Sequence, residues 1–221
     1  MDKEKIIIFG TGDIAQIANY YFEIDSNYEV EAFTVDAEYC IENTYEGKPL
    51  IPFQQLTNTY PPDLYKLFIA LSYSQMNKIR EQKYYEAKAK GYELVSYISS
   101  KCTNLSQFKS GDNCFIFENN TIQPFVKIGN NVTLWSGNHI GHHSIVEDHN
   151  FISSHVVISG HCHIQSNCFI GVNATIGHQV KIAKETLIGA STIITKDTEE
   201  QGVYVPAKSV KIDKKSNEIK L

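Results

Sequence analysis

An aliphatic residue stands at every sixth position from Ile116 to Ile194, and no other feature of the sequence restricts the fold as strongly. The members between these two are Ile122, Ile128, Leu134, Ile140, Val146, Ile152, Ile158, Ile164, Ile170, Ile176, Ile182 and Ile188. A period of six matches neither the 3.6-residue repeat of a helix nor the two-residue repeat of a plain strand. It predicts a chain that turns a corner of about 120° in each hexad and completes a coil in roughly 18 residues. The aliphatic side chains then point inward and stack at a strand spacing of about 4.8 Å, which gives a parallel β-solenoid of triangular section.

The individual hexads carry a resemblance to a known family. Residues 170–175 (IGVNAT) and 188–193 (IGASTI) resemble the repeats of the left-handed β-helix, hexapeptide-repeat acyltransferases. Nearly the whole chain is similar to the sugar acetyltransferase branch of that superfamily, which includes sialic acid O-acetyltransferases and N-acetyltransferases of nucleotide-linked 4-amino sugars. This resemblance implies a left-handed parallel β-helix, acetyl-CoA as co-substrate, and a homotrimer whose sites lie between two chains.

Composition restricts the class of protein further. A chain of 221 residues with 42% hydrophobic content can bury a sizeable core in one or two domains. It shows no signal-peptide pattern and no run near the ~20 apolar residues of a membrane span, so we expect a cytoplasmic protein without a membrane partner. Its five cysteines lack metal-type pair spacing, and a net charge of −5 disfavours nucleic acid as a partner.

The sequence of the N-terminal part predicts strands that alternate with helices. Residues 5–9 form a buried strand, and the sequence GTGDIA from Gly10 to Ala15 is a glycine turn that opens a helix running to about Phe22. Further elements are expected at 28–35, 66–71 and 93–98 for strands and at 76–90 for a helix. This order predicts a small Rossmann-like parallel sheet. We therefore divide the chain into an α/β nucleotide-sugar-binding domain over 1–108 and an all-β left-handed β-helix acyltransferase domain over 109–221, joined by a connection over 101–115.

Three interpretations of the N-terminal unit compete. The glycine turn alone suggests a dinucleotide fold for NAD, but the unit is only about 100 residues long and has no second half. A purely structural βαβ cap is the second reading. The resemblance favours a third, in which the unit holds the nucleotide of a nucleotide-sugar or, as in other family members, only shapes the sugar site. The residues that would then line the nucleotide pocket are Gly10, Thr11, Gly12, Asp36 and Ser72.

All eight histidines fall between positions 139 and 178, within the repeat. Adding one 18-residue coil places His161 over His143, and it places Gly160 over His142 with His178 beyond. An imidazole can act as a general base at neutral pH because its ordinary pKa is about 6.5. The family resemblance identifies His142 as that base. A backbone N–H would meet the charge that develops on the thioester oxygen, and Gly160, one coil above His142, can bring its amide close because it has no side chain.

This sequence departs from the family where a carboxylate usually orients the base. His143 stands at that position, and Asp148, Glu147 or a water could substitute for the missing carboxylate. A second family histidine aligns with Phe151, so its role is vacant or passes to another histidine. The candidates for that role are His149 and His155, and the candidates for contacts to the sugar are His155 and His161.

By the same resemblance, acyl-CoA would lie in a groove between neighbouring subunits along the later coils. Small or corner residues there would permit close approach of the pantetheine arm, although any tight solenoid corner also favours them. The candidate residues are Gly171, Asn173, Gly177, Gly189 and Ala190.

Four functions remain open from the sequence. N-acetylation of a nucleotide-linked amino sugar is favoured by the glycine-turn unit and requires no metal. O-acetylation of a sugar hydroxyl, as in sialic acid, needs the same base. A zinc-dependent solenoid hydratase of the carbonic anhydrase type is suggested by the density of histidines. A scaffold without catalytic activity would leave the histidine cluster unexplained.

Overall fold

The computed structural model describes residues 3–107, 109–213, 215, 218 and 219. The elements of its N-terminal part are β1 (Glu4–Phe9), α1 (Asp13–Ile24), β2 (Tyr28–Val35), β3 (Thr44–Tyr45), β4 (Lys48–Pro52), α2 (Leu56–Thr59), β5 (Lys66–Ile69) and α3 (Lys78–Ala89). The strands form a five-stranded sheet in the order β3-β4-β2-β1-β5, which is parallel except for the β3–β4 hairpin.

Alternation along β1 explains how helices cover both faces of this sheet. Ile6 and Ile8 pack in one cluster with Phe22 of α1, whereas Ile7 and Phe9 pack in another with residues of α3. Successive side chains of a strand point to opposite faces, so a run of apolar residues needs a cover on each side. The predicted parallel sheet with flanking helices is confirmed, and the β3–β4 hairpin is an addition that was not predicted.

The rest of the chain forms a parallel solenoid of two-residue strands that pair with partners 18 residues away, for example Thr133 with Phe151. Its strands are β6 (Tyr97–Ile98), β7 (Thr103–Asn104), β8 (Phe115–Ile116), β9 (Thr121–Ile122), β10 (Lys127–Ile128), β11 (Thr133–Leu134), β12 (His139–Ile140), β13 (Ile145–Val146), β14 (Phe151–Ile152), β15 (Val157–Ile158), β16 (His163–Ile164), β17 (Phe169–Ile170), β18 (Thr175–Ile176), β19 (Lys181–Ile182), β20 (Leu187–Ile188), β21 (Ile193–Ile194) and β22 (Val203–Tyr204). The aliphatic residues of the repeat form one buried cluster, which confirms the inward-facing column that the period predicts.

Three sheets form the faces of the solenoid. We name them by size: the seven-stranded face (β22-β20-β17-β14-β11-β8-β6), the six-stranded face (β21-β18-β15-β12-β9-β7) and the four-stranded face (β10-β13-β16-β19). A left-handed backbone conformation recurs at the corners every six residues, and its residues are mostly Asn, His or Gln. These turns are tight enough to require positive φ, which Asn and His adopt more readily than most residues.

The solenoid begins earlier than the repeat indicates. Strands β6 and β7 precede residue 109, yet they pair with β8 and β9 in two of the solenoid faces. The fourth strand expected over 93–98 is therefore wrong for its second half, because Tyr97 pairs with Phe115 of the solenoid. Its first half does lie beside β5, where Leu94 forms an isolated parallel bridge with Leu67. The connection predicted over 101–115 likewise contains part of a coil. The division between 108 and 109 stays a prediction, and residues 1 and 108 lie outside the described residues.

The N-terminal unit packs against the seven-stranded face. Tyr21 of α1 contacts the rings of Phe115 and Phe117, and Tyr73, after β5, contacts Phe151 and Phe169. This packing leaves the corner between the six-stranded and four-stranded faces on the far side of the prism. No helix in the described part of the chain is long and apolar enough to cross a membrane.

Candidate active site

Four imidazoles gather at the far corner of the solenoid, between the six-stranded and four-stranded faces. We call this cluster of His142, His143, His161 and His178 the histidine corner. His143 and His161 are corner residues with φ of 60° in consecutive coils, and their rings stack with centroids 4.7 Å apart and planes 5° apart. The ring of Phe125 continues the stack one coil earlier, 4.6 Å from His143. The coil of 18 residues therefore superimposes equivalent side chains, as the sequence predicts.

His142 stands perpendicular to this stack. Its Nδ1 lies 3.0 Å from Nδ1 of His143, and its ring centroid lies 5.1 Å from that of His161. Two unprotonated nitrogens cannot form a hydrogen bond, so one of the Nδ1 atoms must carry the proton. If His142 donates, its Nε2 keeps a lone pair and can accept a proton from a substrate.

Gly160 lies against the His142 ring. A Cβ atom built on Gly160 would come within 2.7 Å of both Cε1 and Nε2 of His142, so a side chain at this position would displace the imidazole. The His142 main chain is held by its N–H, which donates to Oε1 of Gln123 at 2.9 Å, and by its carbonyl, which accepts from the N–H of His161. The absence of a side chain at Gly160 thus permits the position of the His142 ring, the predicted base.

His178 completes the corner, with its ring centroid 5.5 Å from that of His161. Partial desolvation lowers the pKa of His161, and the neighbouring imidazoles His143, His142 and His178 lower it further, because a second positive charge beside them is unfavourable. The ligand nitrogens of His142, His143 and His161 lie within 4.8 Å of one another, so these three could hold a metal ion.

The carboxylates considered as substitutes for the missing orienting group are engaged elsewhere. Asp148 Oδ1 accepts from the N–H of Asn130 at 2.7 Å. Glu147 Oε1 lies 2.6 Å from Nε2 of His163, and its Oε2 accepts from the N–H of Ser166. The group in contact with Nδ1 of His142 is therefore His143 itself.

The other candidate histidines occupy different corners. His149 lies at the corner between the four-stranded and seven-stranded faces, where it is buried against α3. His155 lies at the third corner, with its ring against Gly137. Within one chain, His155 is therefore separated from His142, whereas His161 is beside it. Phe151 packs on the seven-stranded face against Tyr73, far from the histidine corner.

The glycine turn lies where parallel strands end. Gly10 has φ of 127°, and a Cβ there would come 2.7 Å from the carbonyl of Ala70, so β1 and β5 can only approach this closely at a glycine. Gly12 precedes α1, with Thr11 half-buried between the two glycines. Ser72 follows β5, and its Oγ lies 3.5 Å from that of Ser74.

Asp36 follows β2 on the same edge, but its carboxylate already has partners. Lys83 of α3 donates to Oδ1 at 2.8 Å, and Gln54 donates to the same oxygen at 3.2 Å. Lys83 was not predicted, because nothing in a lysine- and glutamate-rich helix distinguishes one lysine from the others. Any ligand that uses Asp36 must therefore share it with a cation.

The candidate CoA residues divide between two corners. Gly171, Asn173, Gly189 and Ala190 share the corner of His155, whereas Gly177 lies at the histidine corner. Gly171 is required sterically, since a Cβ there would lie 2.6 Å from the backbone nitrogen of Ala190. A Cβ built on Gly177 or Gly189 would lie 3.2 or 3.3 Å from its nearest neighbouring atom, so these two positions are less restrictive than Gly171.

A cavity of about 670 Å³ lies between α1 and the first coils, away from the candidate residues. Its walls include Tyr20, Tyr21, Phe117, Glu118 and Trp135. The carboxylate of Glu118 accepts from the Tyr21 hydroxyl at 2.9 Å, and burial together with this carboxylate raises the pKa of Tyr21 to about 12. None of the residues that the sequence analysis proposed for catalysis or binding lines this cavity.

Comparison with known proteins supports the fold of the whole chain. The family model described as bacterial transferase hexapeptide (six repeats) matches residues 126–160 and 161–196, so the hexapeptide repeat is confirmed. No curated protein sequence matches the chain. Among solved structures, the acetyltransferase domain of PglB from Neisseria gonorrhoeae is 21% identical with a TM-score of 0.81, and the match covers 94% of this chain and 100% of that one.

Two further structures have similar folds. PerB from Caulobacter crescentus, solved in complex with CoA and GDP-perosamine, is 18% identical with a TM-score of 0.81, and the match covers 91% of this chain and 94% of that one. WeeI from Acinetobacter baumannii is 18% identical with a TM-score of 0.77, and the match covers 91% of this chain and 96% of that one. The expected α/β unit followed by a left-handed β-helix is confirmed.

Proposed function

We propose that this protein is an acyltransferase that moves an acetyl group from acetyl-CoA to the amino group of a nucleotide-linked amino sugar. The observation that carries the proposal is the position of His142, whose Nδ1 contacts His143 and whose Nε2 edge lies against Gly160. Added support comes from the whole-chain likeness to PerB, whose structure holds CoA and GDP-perosamine.

The chemistry needs one base and no covalent enzyme intermediate. His142 Nε2 accepts a proton as the sugar amine attacks the thioester carbonyl, so a C–N bond forms while negative charge develops on the carbonyl oxygen. The backbone N–H of Gly160, which has no hydrogen-bond partner among the described residues, is available to that oxygen. The C–S bond then breaks, and the imidazolium returns its proton to the CoA thiolate.

His143 takes the orienting role in this proposal. Its Nδ1 accepts the Nδ1–H of His142, which leaves the lone pair on Nε2 directed at the substrate. The resulting imidazolium is stabilised by a hydrogen bond to a neutral ring rather than by a carboxylate charge. His161 and His178 complete the wall of this site.

Substrates would bind on both sides of the corner. Acetyl-CoA would run along the small residues of the later coils, with Gly177 at the histidine corner and the other candidates on a neighbouring subunit of a homotrimer. The nucleotide would lie at the glycine turn, with Gly10, Thr11, Gly12, Asp36 and Ser72 around it, and His155 would reach the sugar from a second chain. We place the enzyme in the cytoplasm, in polysaccharide biosynthesis, without a metal.

The direct test is turnover of a panel of nucleotide-linked amino sugars with acetyl-CoA, followed by detection of the released thiol. We expect His142→Ala to lower kcat by about 10²–10⁴-fold, the range for a lost general base, with an unchanged melting temperature. His139→Ala, on an outward-facing strand position, is the matched control. Near-normal turnover by the His142 variant would refute the assignment of the base. Acetylation of free sugars alone would favour an O-acetyltransferase.

One observation favours a second candidate, a zinc-dependent hydratase. Three imidazoles with ligand nitrogens within 4.8 Å of one another are a plausible set for Zn²⁺, which prefers nitrogen ligands. Metal analysis of the purified protein distinguishes the two functions. About one zinc per chain, with CO₂ hydration that a chelator abolishes, would establish the hydratase in place of the transferase.

A further inference from the structure

Arg80, in the first turn of α3, is buried to 2% exposure between the helix and the seven-stranded face without a carboxylate partner among the described residues. Its Nη1 donates to Oγ1 of Thr133 at 2.7 Å, and its Nη2 donates to the carbonyl of Asn150 at 3.1 Å. No described residue accepts a hydrogen bond from its Nε. Burial lowers the pKa of Arg80 to about 10, because removal from water penalises the charged form.

An arrangement of this kind contributes little to stability. A buried charge without a counter-ion costs free energy, and an apolar side chain of similar volume is often no worse for the fold. A structural role for Arg80 in simple packing therefore does not explain why a guanidinium occupies this site. The residues to which Arg80 is hydrogen-bonded indicate its role more clearly than its own packing does.

The third partner of Arg80 is Asn77, whose Oδ1 accepts from Nη2 at 3.2 Å. Asn77 is fully buried, and its Nδ2 donates to the carbonyl of Cys168 in the solenoid at 3.0 Å. It is also the last of three consecutive residues in the left-handed conformation, after Gln75 and Met76, with φ of 52°, 53° and 64° in chain order. None of the three is glycine, so the turn is strained and needs neighbours that hold it.

This turn ends the segment 70–77, which we call the β5–α3 loop. The loop begins at Ala70, whose carbonyl closely approaches Gly10, and it contains Ser72. Midway, Tyr73 packs on Phe151 and Phe169 of the solenoid. The loop is thus fixed at one end by the glycine turn and at the other by Asn77 and Arg80.

We propose that Arg80 and Asn77 are positioning residues that hold the strained β5–α3 loop, and with it Ser72, in the conformation that binds the nucleotide of the substrate. The inference rests on the proposed function, since it assigns the loop to the nucleotide site. Neither residue touches the reacting atoms. Their loss should therefore weaken binding of the nucleotide-sugar and leave the acetyl-CoA site at the histidine corner unaffected.

The experiment uses Arg80→Met, with Lys88→Met as the matched control. Methionine fills the space while it removes the charge and the donors. The acceptors on Thr133, Asn77 and Asn150 then lose a donor, so we expect a folded protein with a modestly lower melting temperature. Lys88 lies on the same helix, and its contacts among the described residues are with Asp112 of the solenoid and the ring of Tyr84 rather than with the loop. Hydrogen–deuterium exchange of the peptide spanning residues 70–78 in the unliganded proteins should be at least about tenfold faster in Arg80→Met than in either the control or the wild type.

Steady-state kinetics then separates positioning from stability. We expect Arg80→Met to raise the KM for a GDP- or UDP-linked amino sugar about tenfold, the effect of one lost hydrogen-bond anchor, with kcat and the KM for acetyl-CoA unchanged. Asn77→Gly, which tolerates the left-handed conformation but lacks the side chain, should give the same pattern if Arg80→Met folds poorly.

The outcomes are distinct. Unchanged exchange in the loop overturns the inference whether or not the wild type acetylates any sugar. Faster exchange with an unchanged KM for the nucleotide-sugar shows that the loop does not position this substrate, which also overturns it. A wild-type protein that acetylates no nucleotide-sugar refutes the proposed function and the substrate role of the loop, while the exchange result still decides whether Arg80 holds the turn.

Discussion

His143 combines two properties at a single residue of the histidine corner. Its backbone adopts φ of 60°, which the tight corner requires, and its Nδ1 lies 3.0 Å from Nδ1 of His142. Asn, Asp and His are the non-glycine residues that adopt this conformation most readily. The corner therefore restricts which side chains can orient His142, and histidine is one of the few that satisfies both the backbone and the hydrogen bond.

Substitution of Gly160 tests the geometry around His142 without removing the imidazole. A methyl group at Gly160 would lie 2.7 Å from the ring, and the exposed ring can rotate away, so we expect Gly160→Ala to keep its melting temperature. Turnover should fall by about 10²-fold, because a displacement of roughly 1 Å at the reacting group has costs of this order. Ser166→Ala, at the same corner position on another edge, is the control. A Gly160→Ala enzyme with wild-type kcat would contradict the proposed placement of the base.

At the scale of elements, α3 is joined to the solenoid by a buried polar contact around His149. Asn131 Nδ2 donates to Nδ1 of His149 at 2.9 Å. On the other side of the ring, Nε2 lies 3.6 Å from Oε1 of Glu81 and 3.4 Å from the hydroxyl of Tyr85, both on α3. Burial lowers the pKa of His149, although the carboxylates of Glu81 and Asp148 oppose this effect and Arg80 adds to it. The neutral ring is therefore the form that the folded protein prefers.

This preference predicts a pH dependence of stability. Because the pKa of His149 is lower in the folded than in the unfolded chain, the unfolded chain binds more protons below about pH 6.5. The free energy of unfolding should decrease as the pH falls from about 7.5 to about 5.5, as measured by urea denaturation. His149→Asn, which continues the corner column of Asn131 and Asn167, should decrease less over the same range. Equal slopes for both proteins would show that His149 does not contribute.

The sequence predicts repeating elements well and isolated ones poorly. The period of six determines the coil, the inward aliphatic column and the stacking of His161 on His143, because each depends only on spacing. The strand β6 is different, since Tyr97 joins the solenoid through pairing with Phe115 and lies outside the aliphatic series. The partners of Asp36 and Asn77 also lie far along the chain, so no local sequence pattern identifies Lys83 or Cys168 as those partners.

At the scale of the whole molecule, the glycine turn and the histidine corner are on opposite sides of the prism. The N-terminal unit covers the seven-stranded face through rings such as Phe115 and Phe169, and His142 lies at the corner that does not border this face. A single chain therefore does not bring a nucleotide at Gly12 next to the imidazole of His142. If the proposed reaction is correct, the two halves of the site must come from different chains.

This separation gives the last prediction, which concerns mixed assemblies of two inactive variants. His142→Ala removes the base but keeps the glycine turn, whereas Thr11→Arg blocks the turn but keeps the base. When equal amounts are refolded or co-expressed together, a site is intact only if a His142→Ala chain supplies the turn and a Thr11→Arg chain supplies the base. Random assembly of a cyclic trimer makes about a quarter of the sites intact, so about a quarter of wild-type turnover should return. Sedimentation should show trimers for each variant alone and for the mixture. Trimers without recovered turnover would contradict this prediction and place the complete site within one chain. A substrate longer than a nucleotide-sugar would then be needed to span the prism from Thr11 to His142.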